Sequence, residues 1–183
     1  MKVQKTSLED CVVIDPTVFS DHRGFFFEGF NMRTFREASG FDFEVKQMNC
    51  SRSAKGVIRG LHFQKPPFEQ AKMVFVTKGS VLDVIVDLRR DSATYGQHEK
   101  VLLSAANKKR VYIPRGFAHG FLALEDDTEL NYLVDGFYNK DYDAGIIYSD
   151  ESLDIDWSYE GVDDYLLSEK DKKLPKLKEY KGE

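Results

Sequence analysis

Between Cys11 and Val134 the chain is a succession of short runs rich in Val, Ile, Phe and Tyr, broken by glycine or polar residues. This pattern limits the available folds more than any other feature. The predicted strands are Cys11–Phe19, Gly24–Phe30, Phe43–Ser51, Val57–Gln64, Lys72–Lys78, Val81–Leu88, Glu99–Ser104, Arg110–Ile113, Phe117–Leu124 and Glu129–Val134. A parallel α/β architecture needs helical crossovers between strands, and spacers of that kind are missing. Many short strands at this spacing specify an all-β sandwich or barrel. One helix fits, Met32–Ala38, with Asn31 able to cap its start and Gly40 to follow its end. A second short helix is predicted around Asp163–Lys170. No repeat or linker divides the 183 residues, a length that supports one full core. The chain therefore reads as a single domain, residues 1–183. It ends in a lysine-rich tail from about residue 172, a solvated segment with Leu174 and Leu177 as docking points.

The net charge of −5 argues against general affinity for nucleic acid or a membrane surface. The first residues, Met-Lys-Val-Gln-Lys-Thr-Ser, contain no apolar signal core, and no apolar run approaches transmembrane length. Cys11 and Cys50 form no Cys-x-x-Cys pair and no disulfide framework. They read as reduced thiols of a cytoplasmic protein.

Chemistry concentrates in Gly56-Val-Ile-Arg-Gly-Leu-His-Phe-Gln64, where a histidine and an arginine sit in a strand-like run. A neutral imidazole can take a proton near pH 7, so His62 is the candidate base. Alone, it would read as a core histidine bonded to backbone. Arg59 and Lys72 change the balance, since cations are costly near a barrel interior unless an anion binds there. Strict alternation sends Arg59 and His62 to opposite faces. A bulge at Gly60 would bring both inward, so irregular pairing is predicted there.

Gly79-Ser80 fits a two-residue hairpin turn that would pair Val76 with Asp83. Met73, Phe75, Leu82, Val84, Val86 and Leu88 then share a core face. Lys72, Val74, Asp83, Ile85 and Asp87 share the other. A solvated outer face explains that second set more simply than a cavity wall does.

A second glycine-bracketed histidine, His119, lies in Pro114-Arg-Gly-Phe-Ala-His-Gly-Phe121. Tyr132 shares parity with Leu130 and Val134, hence points inward, and Tyr138 is a second aromatic nearby. Asp171 reads as a surface charge, and no spacing links it to His62. Arg23, Phe26 and Glu28 lie in the aromatic run Asp21-His-Arg-Gly-Phe-Phe-Phe-Glu28. This reads either as an edge strand packing on the core, or as a nucleotide-sugar contact patch or subunit interface. The histidines His22, His62, His98 and His119 include no His-x-His pair, so no metal site is expected. Neither a Gly-rich phosphate loop nor a Gly-x-Ser-x-Gly turn occurs.

Taken in order, several motifs resemble those of the dTDP-4-dehydrorhamnose 3,5-epimerase family. They are Asp21-His-Arg-Gly-Phe25, Gln47-Met-Asn-Cys-Ser51, Arg59-Gly-Leu-His62, Gln70-Ala-Lys72 and Asp83-Val-Ile-Val-Asp-Leu-Arg89. Pro114–Phe121, Tyr132, Trp157 and Ser168-Glu-Lys-Asp171 complete the set, which spans roughly residues 10–171. Ser158 follows Trp157 where the family often has proline. The resemblance implies a cupin-type jelly roll with a few short peripheral helices.

It also implies a homodimer, no cofactor, and a dTDP-sugar substrate epimerised at C3 and C5 on the way to dTDP-L-rhamnose for cell-surface polysaccharide. His62 would be the base, Asp171 its orienting carboxylate, Lys72 the enolate stabiliser and Tyr132 the acid. Arg23, Gln47, Asn49, Arg59 and His119 would hold substrate, with Phe26, Glu28 and Tyr138 beside it. The N-terminal strand residues could reach a partner's site. Three other readings compete with this one: an epimerase of C3 or C5 alone, a sugar-nucleotide-binding cupin without turnover, and a metal-dependent cupin oxygenase.

Overall fold

β-Branched and aromatic residues place most of the chain in strands, and the computed structural model describes residues 1–180. Lys181, Gly182 and Glu183, at the end of the predicted tail, lie outside the described residues. In chain order the strands begin with β1 (Lys2–Lys5), β2 (Val12–Asp15), β3 (Val18–Asp21) and β4 (Gly24–Phe27). After helix α1 (Met32–Ser39) come β5 (Gln47–Ser53), β6 (Ile58–Gln64), β7 (Lys72–Lys78), β8 (Ser80–Asp87) and β9 (His98–Ser104). The series ends with β10 (Arg110–Ile113), β11 (Phe117–Ala123), β12 (Thr128–Val134) and β13 (Asp143–Gly145).

Two antiparallel sheets face each other, one ordered β1-β2-β10-β7-β12-β5 and the other β13-β6-β11-β8-β9. β3 and β4 form a separate hairpin. Between the sheets lies a cluster containing Val74, Val76, Ile85, Val111, Phe121 and Leu130. The outer face of the second sheet is also covered: Ile58, Leu61, Val84 and Leu122 pack against Ile146, Trp157 and Leu177. Outside the first sheet, Phe35 of α1 packs with Phe43, Met73 and Tyr112. This is the cupin-like jelly roll that the motifs imply.

α1 forms as predicted. Asn31 Oδ1 accepts the Arg33 and Thr34 N–H groups, and Gly40 ends the helix in the left-handed region. The Cys11–Phe19 run breaks into β2 and β3 around Pro16, which has no N–H for a ladder. The polar or short strands β1 and β13 carry no sequence signal and form only through their neighbours.

Two predictions of secondary structure fail, and Asp171, read from the sequence as a surface charge, is buried at 4 % exposure. No helix forms over 163–170. That segment runs extended, with Leu166 exchanging backbone hydrogen bonds with Gly56 and Ile58. The Lys72–Leu88 hairpin is also absent: β7 pairs with β10 and β12, and β8 pairs with β9 and β11. At Gly79, φ +74°, the chain crosses from one sheet to the other. A Cβ there would approach Thr128 Oγ1 to 2.4 Å. Because the strands lie in facing sheets, the set with Lys72, Val74, Asp83 and Ile85 lines the interior. It is not a solvated face.

The tail docks where its leucines suggested. Leu177 is buried, its N–H donates to Asp150 Oδ2 at 2.5 Å, and Tyr180 packs edge-on against Phe63.

Candidate active site

β6 carries an extra residue relative to β11. His62 pairs with His119 and Arg59 with Phe121, so three steps on one strand match two on the other. Ile58, Leu61 and Phe63 all enter the outer cluster, whereas Arg59 and His62 face inward. This is the bulge expected at Gly60. Gly60 has φ +124°, and a Cβ there would lie 2.5 Å from Gly120 Cα. Only glycine lets the two backbones approach so closely.

The inward side chains surround a cavity of about 500 Å³, bounded by both sheets and by the segment around 166–171. His62 Nε2 lies 2.7 Å from Asp171 Oδ1. With the Nε2 proton donated to that carboxylate, Nδ1 carries the free lone pair. Burial pushes the Asp171 carboxyl up. Hydrogen bonds from His62, the Ser168 hydroxyl and the Gly60 N–H outweigh this and hold it below the usual carboxylate range. Asp171 therefore stays charged.

Opposite His62 is a second pair. His119 Nε2 lies 2.7 Å from Asp83 Oδ1, and both residues are buried. Asp83 Oδ2 has no hydrogen-bond partner among the described residues. Lys72, 8 % exposed, donates to the His62 carbonyl at 3.3 Å. Burial pushes its ammonium group down to about 8, against the opposing pull of Asp83 and Asp143. At neutral pH it is a cation with its charge stripped of water, suited to an oxyanion.

Tyr132 lines the cavity from β12, on the sheet opposite His62. Burial raises its pKa, opposed by Arg59, so the phenol keeps its proton. Arg59 is fixed by bonds to Ser53 Oγ and the Arg52 carbonyl, both 3.1 Å.

Gln47 and Asn49 are joined to each other at 2.8 Å, and Asn49 pairs with Tyr132 across β5 and β12. Gln47 also accepts the Tyr138 N–H, and the Tyr138 hydroxyl donates to Asp143. Arg23, Phe26 and Glu28 stand apart. Arg23 pairs with Asp21, Phe26 is 70 % exposed, and Glu28 accepts from Asn31. None of the three lines the cavity of its own chain.

Sequence reading passed over Lys170, which lines the cavity and pairs with Asp143, and left Asp83 without a role. Lys170 lay inside the Ser168–Asp171 motif but looked like part of a solvated lysine run. Among the described residues no three His, Cys, Asp or Glu side chains gather to hold a metal ion. No described helix is long and apolar enough to cross a membrane.

Known proteins resemble this chain in sequence and fold. The family model described as dTDP-4-dehydrorhamnose 3,5-epimerase matches residues 5–179. The curated protein of that name from Shigella flexneri is 47% identical, over 93% of this chain and 93% of its own. The crystal structure of the Elizabethkingia anophelis NUHP1 enzyme of that name superposes with a TM-score of 0.94 at 45% identity, covering 100% of this chain and 99% of that one. The dTDP-6-deoxy-D-glucose-3,5-epimerase of Legionella pneumophila Philadelphia 1, solved in complex with dTDP-4-keto-L-rhamnose, gives 0.91 at 38% identity, covering 97% and 93%.

Proposed function

Because the chain belongs to the dTDP-4-dehydrorhamnose 3,5-epimerase family, we propose that it inverts C3 and C5 of dTDP-4-dehydro-6-deoxy-D-glucose, giving dTDP-4-dehydro-L-rhamnose. The observation that carries this reading is the placement of a His62–Asp171 base on one sheet and Tyr132 on the other, across a single cavity.

A C4 ketone acidifies the protons on both C3 and C5, since either carbanion delocalises into the same carbonyl. His62 removes the proton from one face of the sugar, and Asp171 stabilises the imidazolium that forms. General-base help of this kind is worth roughly 10² to 10⁴ in rate. Lys72 stabilises the enolate oxygen. Tyr132 returns a proton from the other face, and the configuration inverts. The scheme moves protons alone and calls on no metal or cofactor.

Arg59, His119, Gln47, Asn49 and Tyr138 hold the nucleotide sugar. Arg23, Phe26 and Glu28 act across a homodimer, reaching the cavity of a second copy from their exposed hairpin. The described residues form a single domain, and the protein works in the cytoplasm.

Incubation with the 4-keto sugar nucleotide in D₂O, followed by NMR, tests this directly. Deuterium enters C3 and C5 with the native protein and neither position with His62→Ala. Exchange at one centre alone would make the protein a single-centre epimerase. No exchange by the folded native protein would refute the proposal.

A further inference from the structure

Arg110 of β10 lies outside the catalytic cavity. Its neighbours Val111 and Ile113 enter the cluster between the sheets, and Tyr112 packs on the outer face. The guanidinium is on that outer face too, 4.0 Å from the Phe75 ring centroid and 5.9 Å from that of Phe27. Arg110 is 7 % exposed, its Nε has no hydrogen-bond partner, and no carboxylate pairs with it among the described residues. Burial pushes its pKa down to about 10 with no acid opposing the shift. A guanidinium at that value is still charged at neutral pH. Its Nε–H has therefore left water with no acceptor, and the charge lies largely against aromatic faces, which compensate in part.

A cavity of about 200 Å³ opens beside it, lined by Arg110, Lys108, Thr77 and the rings of Phe25, Phe27 and Phe75. The Lys108 ammonium group sits 4.2 Å over Phe25 and donates only to the Ala105 and Ala106 carbonyls among the described residues. Among the described residues no Asp or Glu lines this cavity. A fixed guanidinium fork and a second cation, walled by aromatic rings and lacking an acid, are complementary to an oxyanion.

We propose that this cavity is a second binding site, taking a small oxyanion such as phosphate or a carboxylate between Arg110 and Lys108. Phe25 and Phe27 belong to β4, so a bound anion ties the β3–β4 hairpin to the main sheet. That hairpin also carries Arg23 and Phe26, and occupancy of the site sets how firmly those two are held.

The test is calorimetric titration of inorganic phosphate into the full chain already saturated with dTDP, so that the catalytic cavity is filled. Saturable binding is expected, weakened at least about tenfold in Arg110→Met and less in Lys108→Met. Hydrogen exchange over residues 24–27 should slow when phosphate is added. Absence of saturable binding up to tens of millimolar overturns the proposal, as does equal affinity in both variants or binding that dTDP abolishes. A dimer that falls apart in Arg110→Met, with no phosphate bound by the native protein, would assign the guanidinium to a carboxylate of a second copy instead. Should Arg110→Met fail to fold, Lys108→Met, on the exposed side of the cavity, carries the same comparison.

Discussion

The cavity holds two histidine–aspartate pairs with the same 2.7 Å contact, facing each other across neighbouring strands, yet they are built for different work. In the first, the His62 side chain keeps 33 % of its surface while Asp171 has 5 %. In the second, His119 has 7 % and Asp83 none. A base must meet its substrate, and only the first imidazole is open enough to do so freely. The second pair sits deeper, where its carboxylate neighbours Lys72 and helps keep that amine charged. In the proposed chemistry, identical contacts thus divide into a pair that supplies the base and a pair that supports Lys72 and the substrate.

Breaking the open pair at its histidine should have the largest effect. His62→Ala is expected to lower kcat by about 10³ to 10⁴, and to lower Tm as well because the buried Asp171 loses its partner, measured by steady-state turnover and calorimetry. Next comes Lys72→Met, expected to lower kcat by about 10² to 10³, since it removes the charge that faces the enolate. The same variant should gain stability at pH 7, by on the order of 3 kcal/mol, because the native lysine is held near 8 against an ordinary 10.5. The sign follows from proton binding: between those values the unfolded chain binds more protons. The native penalty is therefore full below pH 8 and fades as pH rises toward 10.5. Urea titrations of both proteins at pH 7 and pH 10 should show the gap narrowing.

Asp171→Asn, which keeps the shape but loses the charge behind the base, should cost about 10² in kcat and leave KM nearly unchanged. The buried pair responds in the opposite sense. Asp83→Asn should cost about 1 to 3 kcal/mol of folding stability, visible as a lower Tm, because it weakens a fully buried charge-assisted bond. The smallest effect sharpens the contrast. Native activity should decline as pH rises through about 8, when Lys72 loses its proton. In Asp83→Asn that decline should begin at lower pH, because a charge favouring the ammonium form is gone. An unmoved profile would sever the link between the two pairs.

Sequence made the bulge legible because Arg59 and His62 could share a cavity only if alternation slipped between them. Most strands were legible for a simpler reason: their apolar residues are buried on one face or both. The crossing at Gly79 was not, since a Gly-Ser dipeptide suits a tight turn whether the next strand pairs with its predecessor or joins a facing sheet. That ambiguity also hid the charged interior face and left Asp83 without a role. The segment 163–170 was misread because its backbone is satisfied by Gly56 and Ile58, far away in sequence. For the same reason the bond between His62 and Asp171, 109 residues apart, came from motif resemblance and not from spacing.

The bulge at Gly60 can also be viewed as punctuation in a two-letter rhythm. A strand spells inside, outside, inside; Gly60 takes up a place in the chain but none in the rhythm, and the reading frame restarts after it. Point changes elsewhere on β6 can alter what a side chain does, but they leave it on the same side of the wall. A one-residue insertion between Leu61 and His62 is a different kind of event. It would deliver the imidazole to the greasy exterior cluster and a leucine's neighbour to the substrate, with no change in composition beyond one residue. The direction each side chain faces is therefore indifferent to spelling errors away from Gly60 and sensitive to slips, and lineages that keep the activity should vary β6 outside Arg59, Gly60 and His62 by substitution far more readily than by length.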